Sequence, residues 1–328
     1  MSKRILITGA AGFVGRRLVK FMLDKGYDVL AIDNIAPLTG GIDPDSSWPL
    51  YNPRDYKNFN FYKIDCRKWF DKNLEEKFDY VFHLAAMVGG REIIENNPLI
   101  VAEDLSIDSH FWQWCSKAKP KKVVSFSSSA CYPIELQRYN NNRLLKENDI
   151  SFEKNIGMPD MTYGWAKLTC EYLGRIAFEK YGIQSICYRP FSGYGEDQDL
   201  NYPFPSICKR ILQNKDKKRF TVWGSGNQMR DFIHIDDCVY GVIKSMNKID
   251  NGDPLNLSNG IFLNFKDFAK KTAKIIGYNP KVVGTTNKPE GVFARAGDTS
   301  KQKQFGIKYK ITLENGIKKS LKFLDNKL

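Results

Sequence analysis

The chain has 328 residues, 42% of them hydrophobic and 13% aromatic, enough to fill a sizeable core in two lobes. No apolar run reaches the roughly 18 residues that span a membrane, and the first apolar stretch stops at Gly9, short of a signal peptide. A cytoplasmic protein with no membrane partner is therefore expected. The net charge of +13 sits mostly in short clusters such as Lys215, Lys217, Lys218 and Lys301, Lys303, without a basic helix or interleaved aromatics. That pattern argues against a nucleic-acid groove. The seven cysteines are scattered, odd in number and never spaced C-x-x-C. They predict reduced thiols, with neither a disulfide framework nor a metal site.

In chain order, short apolar runs at 5–8, 28–32, 59–64, 80–84, 123–126 and 183–188 alternate with amphipathic stretches at 13–25, 99–117 and 163–181. This alternation predicts βα units around a parallel sheet, a doubly wound α/β fold. A long loop is expected over 38–54, where Pro and Gly recur. Past Arg189-Pro190 the regularity fails, and residues 192–230 read as ligand-handling loops with one helix. Apolar segments at 232–235 and 255–257 predict a return to the sheet before a helical tail from 265. The expected division is a cofactor domain over 1–190, its sheet completed from 231–259, and a smaller substrate lobe from 191–230 and 260–328.

The strongest local motif is Gly9-Ala10-Ala11-Gly12-Phe13-Val14-Gly15, set between a strand and a helix. Glycines there permit a tight turn, backbone approach to a pyrophosphate and close helix packing. Asp33, followed by Asn34, ends the next strand, where a carboxylate can accept the ribose hydroxyls of NAD and repel the 2′-phosphate of NADP. Tyr163 and Lys167 stand four apart on a predicted helix, so the ammonium is expected to lower the phenol's pKa toward that of a general base. Ser127, Ser128 and Ser129 close the preceding strand and offer a hydroxyl to a substrate oxygen.

Together these motifs resemble the extended short-chain dehydrogenase/reductase family, the NAD-dependent nucleotide-sugar epimerases and dehydratases, over nearly the whole chain. Asp65 with Cys66 after the third strand, His83-Leu84-Ala85-Ala86 and Arg189-Pro190-Phe191 belong to the same resemblance. It implies a Rossmann-type sheet with a smaller C-terminal lobe and NAD held by the glycine loop, Asp33, Asn34, Asp65, Cys66, Leu84, Ala85 and Ala86. Asp65 also fits a plain strand-end cap. Tyr163, Lys167 and Ser128 would act on a hydroxyl of a nucleotide-diphosphate sugar.

Later segments resemble the GDP-sugar branch, GDP-mannose 3,5-epimerases and GDP-fucose synthases. They are Val88-Gly89-Gly90, Val222-Trp223-Gly224-Ser225-Gly226-Asn227 with Arg230-Asp231-Phe232, and Pro289-Glu290-Gly291-Val292 leading to Arg295 and Asp298. By this resemblance Val88, Gly89, Ser128, Ser129, Trp223, Arg230, Arg295 and Asp298 face the substrate, the arginines suiting a diphosphate. A core-filling role is the simpler expectation for Trp223.

Dehydratases and decarboxylases of the family carry acids where this chain has Ser129 and Ala130, and the 3,5-epimerases carry a cysteine base where it has Ala130. Cys131 stands one place later, either as that base after a one-residue gap or as a buried small side chain. The second acid of those enzymes has no counterpart in Asn201-Tyr202-Pro203-Phe204-Pro205 beyond a tyrosine. The expected activity is thus a GDP-sugar 4-epimerase or 4-dehydrogenase in surface polysaccharide synthesis. The rivals are a 3,5-epimerase using Cys131 and a non-catalytic NAD-binding scaffold. A homodimer is expected through the helices at 99–117 and 163–181, with Phe111, Trp112, Leu168 and Tyr172 as surplus apolar surface.

Overall fold

Seven parallel strands run through the centre of the computed structural model, which describes residues 2–37, 39–285 and 291–327. The strands are β1 (Arg4–Thr8), β2 (Asp28–Asp33), β3 (Phe59–Lys63), β4 (Tyr80–His83), β5 (Val123–Phe126), β6 (Ser185–Pro190) and β7 (Asn251–Leu257). Their order is β7-β6-β5-β4-β1-β2-β3. The chain winds outward from β1 in one direction and from β4 in the other, so a crevice opens at the carboxyl ends of these two neighbours, where open α/β sheets take ligands.

Alternation along the strands divides the core between two helical layers. Ile5, Ile7, Val29 and Phe82 meet α1 (Phe13–Asp24) and α6 (Ile235–Ser245) on one face. Leu6, Ile32, Val81 and Val123 meet α2 (Cys66–Lys72) and α3 (Glu103–Ala118) on the other, with α4 (Met161–Tyr181) alongside. Lys119 and Gly182, both in the left-handed region at φ 54 and 67, end α3 and α4.

A second core lies past β6, where Phe204, Ile207 and Ile211 of α5 (Pro203–Gln213) pack with Phe268 of α7 (Phe265–Ile275) and Leu321 of α8 (Leu313–Asp325). Two expectations fail here. The strand Phe232–His234 pairs with Ser192–Tyr194 in a separate ladder and not with the central sheet, which, among the described residues past β6, only β7 rejoins. The tail is not wholly helical either: Lys281–Thr285 pairs in parallel with Arg219–Trp223, and Ala294–Arg295 with Met229–Arg230. Each strand finds a partner about 60 residues away, a pairing that no local pattern encodes.

The loop expected over 38–54 carries only two short 3-10 turns, Pro44–Ser46 and Pro53–Asp55, and Leu38 lies outside the described residues. The residues taken for surplus surface on the two long helices are mostly core. Phe111, Trp112 and Leu168 are buried, and Phe111 stacks on His83 with ring centroids 3.8 Å apart. Tyr172 is exposed, together with Leu99, Ile100, Leu105, Trp165, Phe178 and Tyr181. No described helix is long and apolar enough to cross a membrane.

Candidate active site

A cavity of about 860 Å³ runs from the carboxyl ends of β1 and β4 to the second core. Its cofactor-side wall begins at the glycine loop, whose Gly9, Gly12, Phe13, Val14 and Gly15 all line it. A Cβ on Gly15 would collide with the Gly9 carbonyl oxygen and the Ala10 backbone, so only glycine lets α1 start this close to the turn. Asp33 accepts the N–H groups of Ile35 at 2.7 Å and Ala11 at 3.0 Å, and with Asn34 it faces the cavity. Burial raises the Asp33 carboxyl, and those N–H groups offset part of the rise. Arg16 also reaches the cavity, but its guanidinium is bound to Asp197 at 2.8 Å and to the Ala11 carbonyl.

Asp65 and Cys66 line the same wall. Asp65 is at once a cavity residue and a cap, accepting the Arg67 N–H at the start of α2 at 2.9 Å, and the Arg67 guanidinium holds its carboxyl below the usual range. Leu84, Ala85 and Ala86 follow β4 along the wall, with Val88 and Gly89 beyond them. These groups fit NAD: a glycine cradle at a helix start, a strand-end carboxylate and an apolar shelf.

Ser128, Tyr163 and Lys167 all line the cavity. Ser128 opens the 3-10 turn Ser129–Cys131, its Oγ accepting the Ala130 N–H at 3.1 Å. The start of α4 is pressed on this turn. The Asp160 N–H donates to the Ala130 carbonyl at 2.9 Å, and a Cβ on Gly164 would collide with that oxygen. Met161 takes φ 58 at this junction, a strained setting for a side-chain-bearing residue. The close packing fixes Tyr163 beside Ser128.

Lys167 stands one turn along, its Nζ 5.7 Å from the Tyr163 ring centroid. The expected lowering of the phenol does not hold in the free protein: burial raises Tyr163 more than Lys167 and the Ser128 hydrogen bond lower it, and Asp104 adds to the rise. Lys167 itself pairs with the buried Asp104 of α3 at 3.2 Å. Burial lowers its ammonium, but Asp104 and Asp108 outweigh that and hold it charged.

The far wall is rich in arginine. Arg230 and Arg295 are register partners on adjacent strands, and both line the cavity with Arg91 and Arg210. Asp160 accepts Arg91 at 2.9 Å and Arg295 at 2.8 Å, so one carboxylate at the head of α4 ties down two of the four. Burial, followed by the neighbouring Arg295, weakens the hold of Arg230 on its proton. A cavity face of this charge can take a diphosphate.

Ser129 lines the cavity as expected. Trp223, by contrast, is no core filler: it is 45% exposed on the cavity wall. Asp298 is displaced from its expected role. It lies off the cavity lining, and its carboxylate accepts the Ser300 N–H at 2.8 Å in the turn that leads into the helix Ser300–Gln304. Pro289 and Glu290 lie outside the described residues.

Cys131 is fully buried among Tyr132, Leu145, Leu168 and Phe191, and it does not line the cavity. Burial pushes its thiol well up, which favours the buried small side chain over the base among the two expectations for it. The motifs do not point to Asp104, Asp160, Arg91 and Arg210, all but Asp104 of them cavity residues, and Tyr202, noted only as a tyrosine in place of an acid, lines the cavity too. Asp104 and Asp108, two acids one turn apart on a buried helix face, carried a readable signal.

The family model described as the NAD dependent epimerase/dehydratase family matches residues 5–259. The chain belongs to this family. It is an enzyme of the NAD-dependent nucleotide-sugar epimerase/dehydratase type, with a Rossmann fold. Among its relatives, the uncharacterized UDP-glucose epimerase YtcB of Bacillus subtilis is 31% identical over 248 residues, 75% of this chain and 73% of that protein. The GDP-L-fucose synthase of Escherichia coli is 26% identical, over 99% of this chain and 98% of its own length. A UDP-glucuronic acid 4-epimerase from Bacillus cereus, solved with UDP-glucuronic acid and NAD, matches the fold at a TM-score of 0.81 with 23% identity, over 99% of this chain and 100% of that one.

Proposed function

We propose that the enzyme oxidises the C4 hydroxyl of a GDP-linked sugar and acts as a 4-epimerase or 4-dehydrogenase in surface polysaccharide synthesis in the cytoplasm. The observation that carries this reading is the convergence of Tyr163, Ser128 and Lys167 at the point where the cofactor-side wall meets the arginine-rich one. Residues 1–190 with the strand β7 would hold the cofactor, and the lobe of 191–230 and 260–328 the sugar nucleotide.

Bound NAD, held by the glycine loop, Asp33, Asn34, Asp65, Cys66 and 84–86, supplies the hydride acceptor. Ser128 donates a hydrogen bond to the sugar oxygen and orients it. Tyr163, ionised to the phenolate that the Lys167 ammonium stabilises, takes the hydroxyl proton and becomes the neutral phenol. Arg230, with Arg210 and Arg295, grips the diphosphate, and Val88, Gly89, Ser129 and Trp223 shape the space around the sugar and base. The GDP assignment is supported by Trp223 and Arg230, which both line the cavity and both belong to the segment that resembles GDP-sugar enzymes. The C4 assignment is supported by the burial of Cys131 away from the cavity, which counts against the thiol base of the 3,5-epimerase reading.

A panel of GDP-, UDP- and dTDP-sugars in heavy water tests both assignments. Turnover of a GDP-sugar with C3 and C5 still protiated is the expected result. Activity confined to UDP- or dTDP-sugars overturns the first assignment, and deuterium at C3 or C5 overturns the second. We also propose a homodimer through the face of α3 and α4 that exposes Leu105, Trp165, Tyr172 and Phe178. Light scattering at micromolar concentration should give twice the chain mass, and a monomer there would contradict it.

A further inference from the structure

Nothing in the reading above requires Lys167 to have an acidic partner, yet one is built into α3. The Asp104 carboxylate lies 3.2 Å from the Lys167 Nζ, and both side chains are almost wholly shielded from water. Its other oxygen accepts the backbone N–H of Met87, which fixes the carboxylate to the segment following β4. Behind it, one helical turn on, Asp108 bonds to His83 Nε2 at 3.1 Å, and Thr8 Oγ1 meets His83 Nδ1 at 2.8 Å. The ammonium thus sits between a phenol on its own helix and a carboxylate on the next.

We propose that Asp104 is a positioning residue for Lys167, and that its charge withholds part of the ammonium's field from the Tyr163 phenol. The inference rests on Tyr163 and Lys167 being the pair described above. The groups acting on the phenol are Lys167 on α4, Asp104 on α3, Ser128 and Cys131 after β5, and Tyr202 at the head of α5. The ammonium is acted on by Asp104 and Asp108 of α3 and by Tyr163 and Cys170 on its own helix, with His83 of β4 within its field. Asp104 is the carboxylate in this set that touches the ammonium.

In a poorly screened interior a negative charge this close favours the neutral phenol. The free enzyme therefore holds Tyr163 protonated, and its ionisation waits for additional positive charge in the cavity. A base so restrained does not spend itself on bulk protons before the site is filled.

The test is a tyrosinate titration of the protein without cofactor or sugar, taken as the ultraviolet difference from its Tyr163→Phe counterpart. Wild-type Tyr163 should ionise above the ordinary value of about 10. Asp104→Asn, which keeps an acceptor for the Met87 N–H, should lower the midpoint by about one pH unit or more. Asp104→Glu should restore the wild-type midpoint. A mere loosening of the helices would also lower the midpoint, but Asp104→Glu would not reverse it. An Asn variant that titrates like wild type, or whose shift the Glu variant fails to restore, overturns the inference. Since neither NAD nor a sugar is present, this result stands apart from the assignment of the reaction.

Discussion

The two walls of the cavity are made in different ways. The cofactor-side wall is mostly main chain and small side chains drawn from three short segments, 9–15, 33–34 and 84–86, each directly after a strand of one sheet. The far wall is made of long charged or aromatic side chains at Arg91, Tyr202, Arg210, Trp223, Arg230 and Arg295, gathered from elements up to 200 residues apart. A surface that meets a pyrophosphate with backbone N–H groups must be spelled by glycines at fixed spacing. A surface that grips with guanidinium groups can be supplied from anywhere the chain passes. The first kind of wall is a motif, and the second is a consequence of tertiary structure.

Substitutions at the seam and on either wall separate the two. The largest effect is expected at the seam: Tyr163→Phe should cut turnover about 100-fold or more, with affinities for NAD and for the nucleotide diphosphate nearly unchanged. Full activity in that variant would remove the phenol from the mechanism. On the far wall, Arg230→Met should weaken nucleotide-sugar binding about tenfold to a hundredfold, through loss of charged hydrogen bonds, and leave NAD titrations as they were. A matching loss of NAD affinity would mean that the two walls are not independent. The smallest effect belongs to Asp33→Ala, which should cost about 1 kcal/mol of NAD affinity and narrow the preference over NADP without touching sugar binding. An unaltered ratio of the two cofactors would place the ribose elsewhere.

The same contrast explains what the sequence made legible. The strands β1 to β6 and the helices α1, α3 and α4 stand out because each is a short apolar run or amphipathic stretch beside a breaker, and each lies within a few residues of its expected place, whereas the seven-residue α2 is not among the expected helices. Asp33, Tyr163, Lys167 and Ser128 followed, because their meaning depends on distance along the chain. Pairing partners did not. Nothing local distinguishes Phe232–His234, which joins Ser192–Tyr194, from a strand of the main sheet.

Burial was misjudged in both directions for a similar reason. Trp223 looked like filling and is on the cavity wall, while Phe111, Trp112 and Leu168 looked like spare surface and are core. Hydrophobicity states that a side chain seeks cover and not which surface provides it. Asp104 escaped notice because its role is set by Lys167, 63 positions later in the sequence.

The register of Arg230 against Arg295 has a consequence for the protein's life in the cell. Two guanidinium groups held side by side repel each other, and burial adds to the cost of the charge on Arg230. A bound diphosphate would remove that repulsion and add its own binding energy to the folded state, about 2.7 kcal/mol at a hundredfold excess over its dissociation constant. The supply of substrate then sets how much of the enzyme survives heat and proteolysis, and a cell starved of the sugar nucleotide would hold a softer, shorter-lived pool of the enzyme that consumes it.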